Sequence, residues 1–174
     1  MTELDRPGLL RRRSLATVAA LGAAAVLGLA GCAGGEAAPN STFVLIDGSK
    51  ATTADLKGKV TLVNFWATTC VSCVKEMPQI VATWHKYQAQ GFDTVAVAME
   101  YDPPNWVLNF AQSRQLPFKV ALDNTGEIAQ QWGDVKLTPT TYLVDKQGRI
   151  VKRFVGEPDF AALHQLIEKL LAQT

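Results

Sequence analysis

A continuous β-prone run, Val60-Thr61-Leu62-Val63-Asn64-Phe65-Trp66, is followed within four residues by Cys70-Val71-Ser72-Cys73. Apolar residues then recur at Val74, Met77, Val81 and Trp84. This junction constrains the fold more than any other stretch of the chain. An apolar run without alternation fits a strand buried on both faces. Apolar residues three or four apart predict a helix, here over residues 71–90. A buried strand feeding directly into a helix is the unit from which α/β sheets covered on both faces are built.

The rest of the chain supplies matching units. Residues 43–46, 94–99, 119–122, 140–144 and 149–155 read as strands, and residues 55–59 as a turn or short helix. Asp145-Lys146-Gln147-Gly148 between the last two strands is a hairpin signal. Pro103-Pro104 opens a helix to about Arg114, since proline is tolerated in a first turn. Residues 126–132 form a short helix, and Asp159 caps a last one to Ala172. The order β, β, α, β, α, β, α, β, β, α predicts an α/β domain, with the closing hairpin antiparallel at one side of the sheet. At 174 residues and 48% hydrophobic, the chain can bury one domain's core and is neither disordered nor collagen-like. A net charge of +1 leaves no electrostatic footprint for nucleic acid.

Residues 1–31 read differently. Arg11, Arg12 and Arg13 precede an Ala/Leu-rich stretch that ends in small residues, the pattern of a secretory signal. Its apolar run is shorter than the ~20 residues of a spanning helix, although a short uncleaved anchor is the alternative. These residues hold four Lys/Arg and two Asp/Glu, so without them the net charge turns from +1 to −1. Residues 32–42, rich in Ala, Gly and Ser, read as a flexible tether, and residues 43–174 as the globular domain.

The chemistry is expected at Cys70 and Cys73. A helix N-terminus offers unpaired N–H groups and a partial positive charge, both of which favour a thiolate. Cys70, nearer the helix end, is the expected nucleophile. Cys73, one turn in, is placed to resolve a mixed disulfide. A zinc half-site is the first alternative, but zinc wants about four ligands and only His85 and His164 remain as further candidates. A structural disulfide is the second, but so short a loop gives it little entropy to act on.

Two resemblances sharpen this reading. Leu29-Ala30-Gly31-Cys32 resembles the lipobox of bacterial lipoproteins, which implies cleavage before Cys32 and its lipidation; a plain cleavage site beside a chance cysteine is the alternative. Arg12-Arg13-Ser14-Leu15 loosely resembles a twin-arginine export signal. Residues 63–73, with Glu76-Met77-Pro78 and Thr138-Pro139-Thr140, resemble the thioredoxin superfamily, and most closely its membrane-anchored TlpA/ResA/CcmG branch.

The second resemblance spans about residues 43–172. It implies a thioredoxin-like fold, with a central mixed sheet flanked by helices and an N-terminal strand extension. It implies thiol–disulfide exchange in the periplasm, on a membrane held through lipidated Cys32. Implied clients are apocytochrome c or copper-site assembly proteins, with recharging by a membrane electron transporter of the DsbD type. No cofactor or metal is expected, because the sulfurs carry both electrons.

Thr138-Pro139 matches the family's cis-proline turn, where a client strand would pair, and Trp66 is a further candidate for substrate contact. Asn64 stands where ordinary thioredoxins carry a buried aspartate. Glu76, one turn beyond Cys73, is then the candidate proton acceptor. Thr69 departs from the family's tryptophan before the first cysteine. Trp84, Trp106 and Trp132 read as core or half-buried residues, and Glu100-Tyr101-Asp102 as a solvated loop. A thiol peroxidase, or a Cu(I)-delivery module using Cys70, Cys73 and a methionine, are the competing functions, although Met77, four residues past Cys73, reads as core.

Overall fold

The structure, a computed structural model, describes residues 35–173. Its elements in chain order are β1 (Thr42–Leu45), β2 (Lys50–Thr52), β3 (Val60–Trp66), α1 (Val71–Tyr87), β4 (Phe92–Ala98), α2 (Pro104–Ser113), β5 (Lys119–Leu122), α3 (Glu127–Gln131), β6 (Thr140–Val144), β7 (Ile150–Val155) and α4 (Phe160–Leu171). The strands form one seven-stranded sheet in the order β2-β1-β5-β4-β3-β6-β7. β3 pairs parallel with β4, and β4 with β5, while every other pairing is antiparallel. The sheet is therefore mixed, with its parallel centre at β3 and β4. Both of those strands are buried along their whole length, including the polar Thr61, Asn64, Asp93 and Thr94 that interrupt their apolar residues.

Alternation along β3 sorts the core into two layers. Val60, Leu62 and Trp66 face α1, α2 and α4, packing with Met77, Ile80, Val107, Leu163 and Ile167. Val63 and Phe65 face the opposite side, where Phe43, Ile128, Trp132 and Tyr142 complete an aromatic layer under α3. Asp159 caps α4 as expected, its carboxylate accepting from the N–H groups of Ala161 and Ala162 at 2.9 and 3.2 Å.

The structure departs from the sequence reading in a few places. The helix read over 71–90 ends at Tyr87 and tightens into a 3-10 turn over Gln88–Gln90, and Gly91 adopts the left-handed φ of 95° that stops it. β2 went unread, because three residues, Lys50 to Thr52, carry no pattern of their own and pair only with β1.

The segment 32–42 is not a free tether over its described part. Ile150 donates to the Glu36 carbonyl at 2.7 Å, Ala38 donates to the Gly148 carbonyl at 2.9 Å, and Thr53 Oγ1 donates to the Pro39 carbonyl at 2.6 Å. Residues 36–38 thus dock against the β6–β7 hairpin, whose edge offers the unpaired backbone groups they need, and Pro39 against the turn after β2. Cys32 and the signal-like residues before it lie outside the described residues.

Candidate active site

β3 ends at Trp66, and the four residues that follow turn the chain into α1 at the carboxyl edge of the parallel strands. Cys70 is the N-cap of α1, with extended backbone at φ −86° and ψ 105°. Its sulfur accepts a hydrogen bond from the Cys73 N–H at 3.2 Å and lies 3.5 Å from Ser72 Oγ. The helix N-terminus therefore points an otherwise orphan donor at this sulfur. Cys70 and Cys73 are joined in a disulfide, with Cα atoms 5.2 Å apart. Cys70 is partly exposed, and Cys73 is fully buried. Of the two sulfurs, the first is open to solvent and the second is not.

Glu76 lies one turn beyond Cys73 on the same helix and is 0% exposed. It points into the sheet. Asn64 Nδ2 on β3 donates to Glu76 Oε1 at 3.0 Å and to Thr141 Oγ1 at 2.9 Å. The register explains the grouping, since Asn64 stands directly opposite Thr141 across the β3–β6 ladder. Burial raises the Glu76 carboxyl from 4.5 to about 7; the Asn64 hydrogen bond opposes the rise, and the charge of Glu157 adds to it. Glu76 Oε2 and Asn64 Oδ1 find no partner within the chain among the described residues.

The Thr138–Pro139 peptide bond is cis. Thr140 pairs with Phe65, so the turn before β6 lies at the same edge of the sheet from which the Cys70 loop departs. Pro139 is buried and its carbonyl accepts from the Gly156 N–H at 2.8 Å, while Thr138 stays partly exposed.

Three expectations need correction. Trp66 is 0% exposed and packs against Phe110 with ring centroids 5.1 Å apart, so it is a core residue and cannot contact a client. Trp106, read as core or half-buried, is 51% exposed on α2 and no part of the core. The Glu100-Tyr101-Asp102 segment is not simply a solvated loop. Asp102 is buried, accepting from the Thr68 N–H at 2.6 Å and from Thr68 Oγ1 at 2.5 Å. It fastens the loop that carries Cys70. No local pattern announces this, because the two partners are 34 positions apart and Pro103-Pro104 signals only a turn. Met77 is buried among core side chains, which removes it as a ready Cu(I) ligand.

Comparison with known proteins agrees with this geometry. Residues 33–167 match the Redoxin family. The chain is 36% identical over 137 residues to "Thiol-disulfide oxidoreductase ResA" of Bacillus thuringiensis subsp. konkukian, covering 78% of each chain. It is 33% identical over 130 residues to the protein of the same name in Bacillus subtilis, covering 75% of this chain and 72% of that one. Among solved structures, a thiol:disulfide interchange protein of the thioredoxin family from Chlorobium tepidum superposes with a TM-score of 0.72 at 26% identity. That match covers 79% of this chain and 97% of the other.

Proposed function

The chain belongs to the Redoxin family and is a thiol–disulfide oxidoreductase, and from that premise we propose that it works as a reductant of client disulfides outside the cytoplasm. The observation that carries this reading is the pairing of an exposed sulfur at a helix N-terminus with a buried one beside a carboxyl poised near neutrality.

In the reduced enzyme the Cys70 thiolate attacks one sulfur of the client disulfide. An S–S bond forms between Cys70 and the client, and the client's second sulfur leaves as a thiolate. Cys73 then gives up its proton and attacks Cys70, restoring the Cys70–Cys73 bond and releasing the client's first sulfur. Two electrons pass from enzyme to client; the Cys73 proton, taken up by Glu76, goes on to one departing client sulfur, and solvent supplies the other with the proton it received when Cys70 ionised.

Cys73 is buried, so water cannot readily take its proton. Glu76, one turn away and titrating near 7, is the acceptor. Asn64 serves both states of that carboxyl. Its Nδ2 donates to the ionised form, and its Oδ1 accepts from the protonated form once the amide turns over. The Thr138–Pro139 turn offers the Thr138 backbone to an extended client strand, in the manner of β-augmentation.

Lipidated Cys32 would hold the domain at a membrane in the periplasm or its equivalent. Apocytochrome c or copper-site assembly proteins are the proposed clients, and a DsbD-type transporter the source of electrons. Cys73→Ala in the native host tests this. The stalled mixed disulfide on Cys70 is expected to contain such a client. Recovery only of oxidising partners, or a reduction potential in the range of strong oxidants near −120 mV, would overturn the reductant assignment.

A further inference from the structure

Thr69 is exposed where the resembling family carries an aromatic ring, yet exposed apolar side chains remain next in chain to residues of the site. Val71, Leu137 and Tyr101, neighbours of Cys70, Thr138 and Asp102, are 85, 66 and 55% exposed. Tyr101 is the one tied to both walls of the site. At its base, the neighbouring Asp102 is buried and holds Thr68 by two hydrogen bonds, two residues before Cys70. At its tip, the Tyr101 hydroxyl lies 3.2 Å from Thr138 Oγ1, on the proline turn. A ring fixed at both ends presents a preformed amphipathic face with few torsions left to lose on binding.

We propose that Tyr101 is a specificity-determining residue of this enzyme. Its ring receives the apolar side chain next to the client's reactive cysteine and takes over the role of the aromatic missing at position 69. The occupant is an extended segment of a disulfide-bearing polypeptide with a leucine-sized or aromatic residue beside the cysteine. The assignment rests on the reading of the Thr138–Pro139 turn as the client's docking strand. Asp102 ties the segment that carries Tyr101 to the loop that carries Cys70. A backbone pairing at Thr138 would bring the client's side chains alternately toward and away from the Tyr101 ring.

The test uses the reduced protein and disulfide-linked dimers of the peptide Gly-X-Cys-X-Gly, with X either leucine or serine. The leucine peptide is expected to be reduced with a kcat/KM about tenfold above the serine peptide, the size of effect one apolar side chain supports. In Tyr101→Ala that ratio falls to near one through a raised KM for the leucine peptide, and in Tyr101→Phe most of it remains. An equal rate for both peptides in the parent, or a ratio that survives Tyr101→Ala, overturns the proposal. A leucine peptide N-methylated beside its cysteine separates the two readings. Loss of strand pairing slows it in the parent and in Tyr101→Ala alike, by up to about tenfold. If N-methylation changes nothing, the docking-strand reading falls, while the leucine-to-serine ratio still decides Tyr101.

Discussion

Each face of the sheet carries its own apolar core, and the two treat their polar atoms in different ways. Under α3, polar and aromatic groups are closed into a chain. Tyr142 Oη donates to the Trp132 carbonyl, Trp132 Nε1 to Ser41 Oγ at 3.1 Å, and Ser41 Oγ to Gln131 Oε1 at 2.5 Å. Under α1, Asn64 Oδ1, Glu76 Oε2, Trp66 Nε1, Trp84 Nε1 and Thr94 Oγ1 have no partner within the chain among the described residues; on the other face only Thr61 Oγ1 shares that condition. Leaving a buried polar group without a partner costs about 1–3 kcal/mol. The difference teaches that one face closes its polar atoms on one another, and that the other leaves Glu76 Oε2 and Asn64 Oδ1 open at the one carboxyl that titrates near neutrality.

Substitutions should separate the faces accordingly. The largest effect is expected on the α1 side. Cys70→Ser should lower the rate of insulin disulfide reduction by at least about a thousandfold, because the remaining thiol, Cys73, is buried out of a client's reach. Residual activity within about tenfold of the parent would break the comparison at its root.

Glu76→Gln comes next. Resolution of the mixed disulfide should slow by about a hundredfold, and its pH profile should lose the inflection near 7. The same variant tests the cost of the unsatisfied face. The unfolded Glu76 loses its proton near 4.5 and the folded one near 7. Between those values the folded chain binds the extra proton, so stability falls as pH rises through that window, by on the order of 3 kcal/mol once it is passed. Denaturant titrations of Glu76→Gln at pH 5 and pH 8 should show that dependence removed.

On the opposite face, Tyr142→Phe leaves the Trp132 carbonyl without its donor. It should cost about 1–3 kcal/mol in denaturant stability and leave the rate of disulfide exchange unchanged. A fall in activity without a fall in stability would contradict the division between faces. The smallest expected effect is at the rim. Glu157, paired with Lys75 at 3.3 Å, adds its charge to the forces raising Glu76. Glu157→Gln should therefore move the kinetic inflection downward by a few tenths of a unit.

Much of this was legible in the sequence, for physical reasons that differ from residue to residue. The run from Val60 to Trp66 and the helical spacing after Cys73 announced β3 and α1, because burial on both faces and on one face leave different patterns. Glu76 could be placed beside Cys73 by helical geometry alone, and Asn64 in place of a titratable residue drew attention to it. Trp66 misled. Its place at the end of a buried strand, facing α2, was a better guide than its nearness to the cysteines. The docking of residues 36–38 on the β6–β7 hairpin left no mark, since backbone pairing is indifferent to the Glu and Ala side chains of that segment. Asp102 was hidden for a related reason. A carboxylate that fastens a distant loop has the same local sequence as one facing water.

The division of labour between the two sulfurs is tested most directly by trapping. The reduced Cys73→Ala and Cys70→Ala variants are each mixed with a disulfide-linked peptide and separated without reductant. The account predicts a covalent peptide adduct on Cys70 in the first variant, released by dithiothreitol, and none in the second. An adduct on Cys73 when Cys70 is absent, or no adduct in either variant, would contradict it.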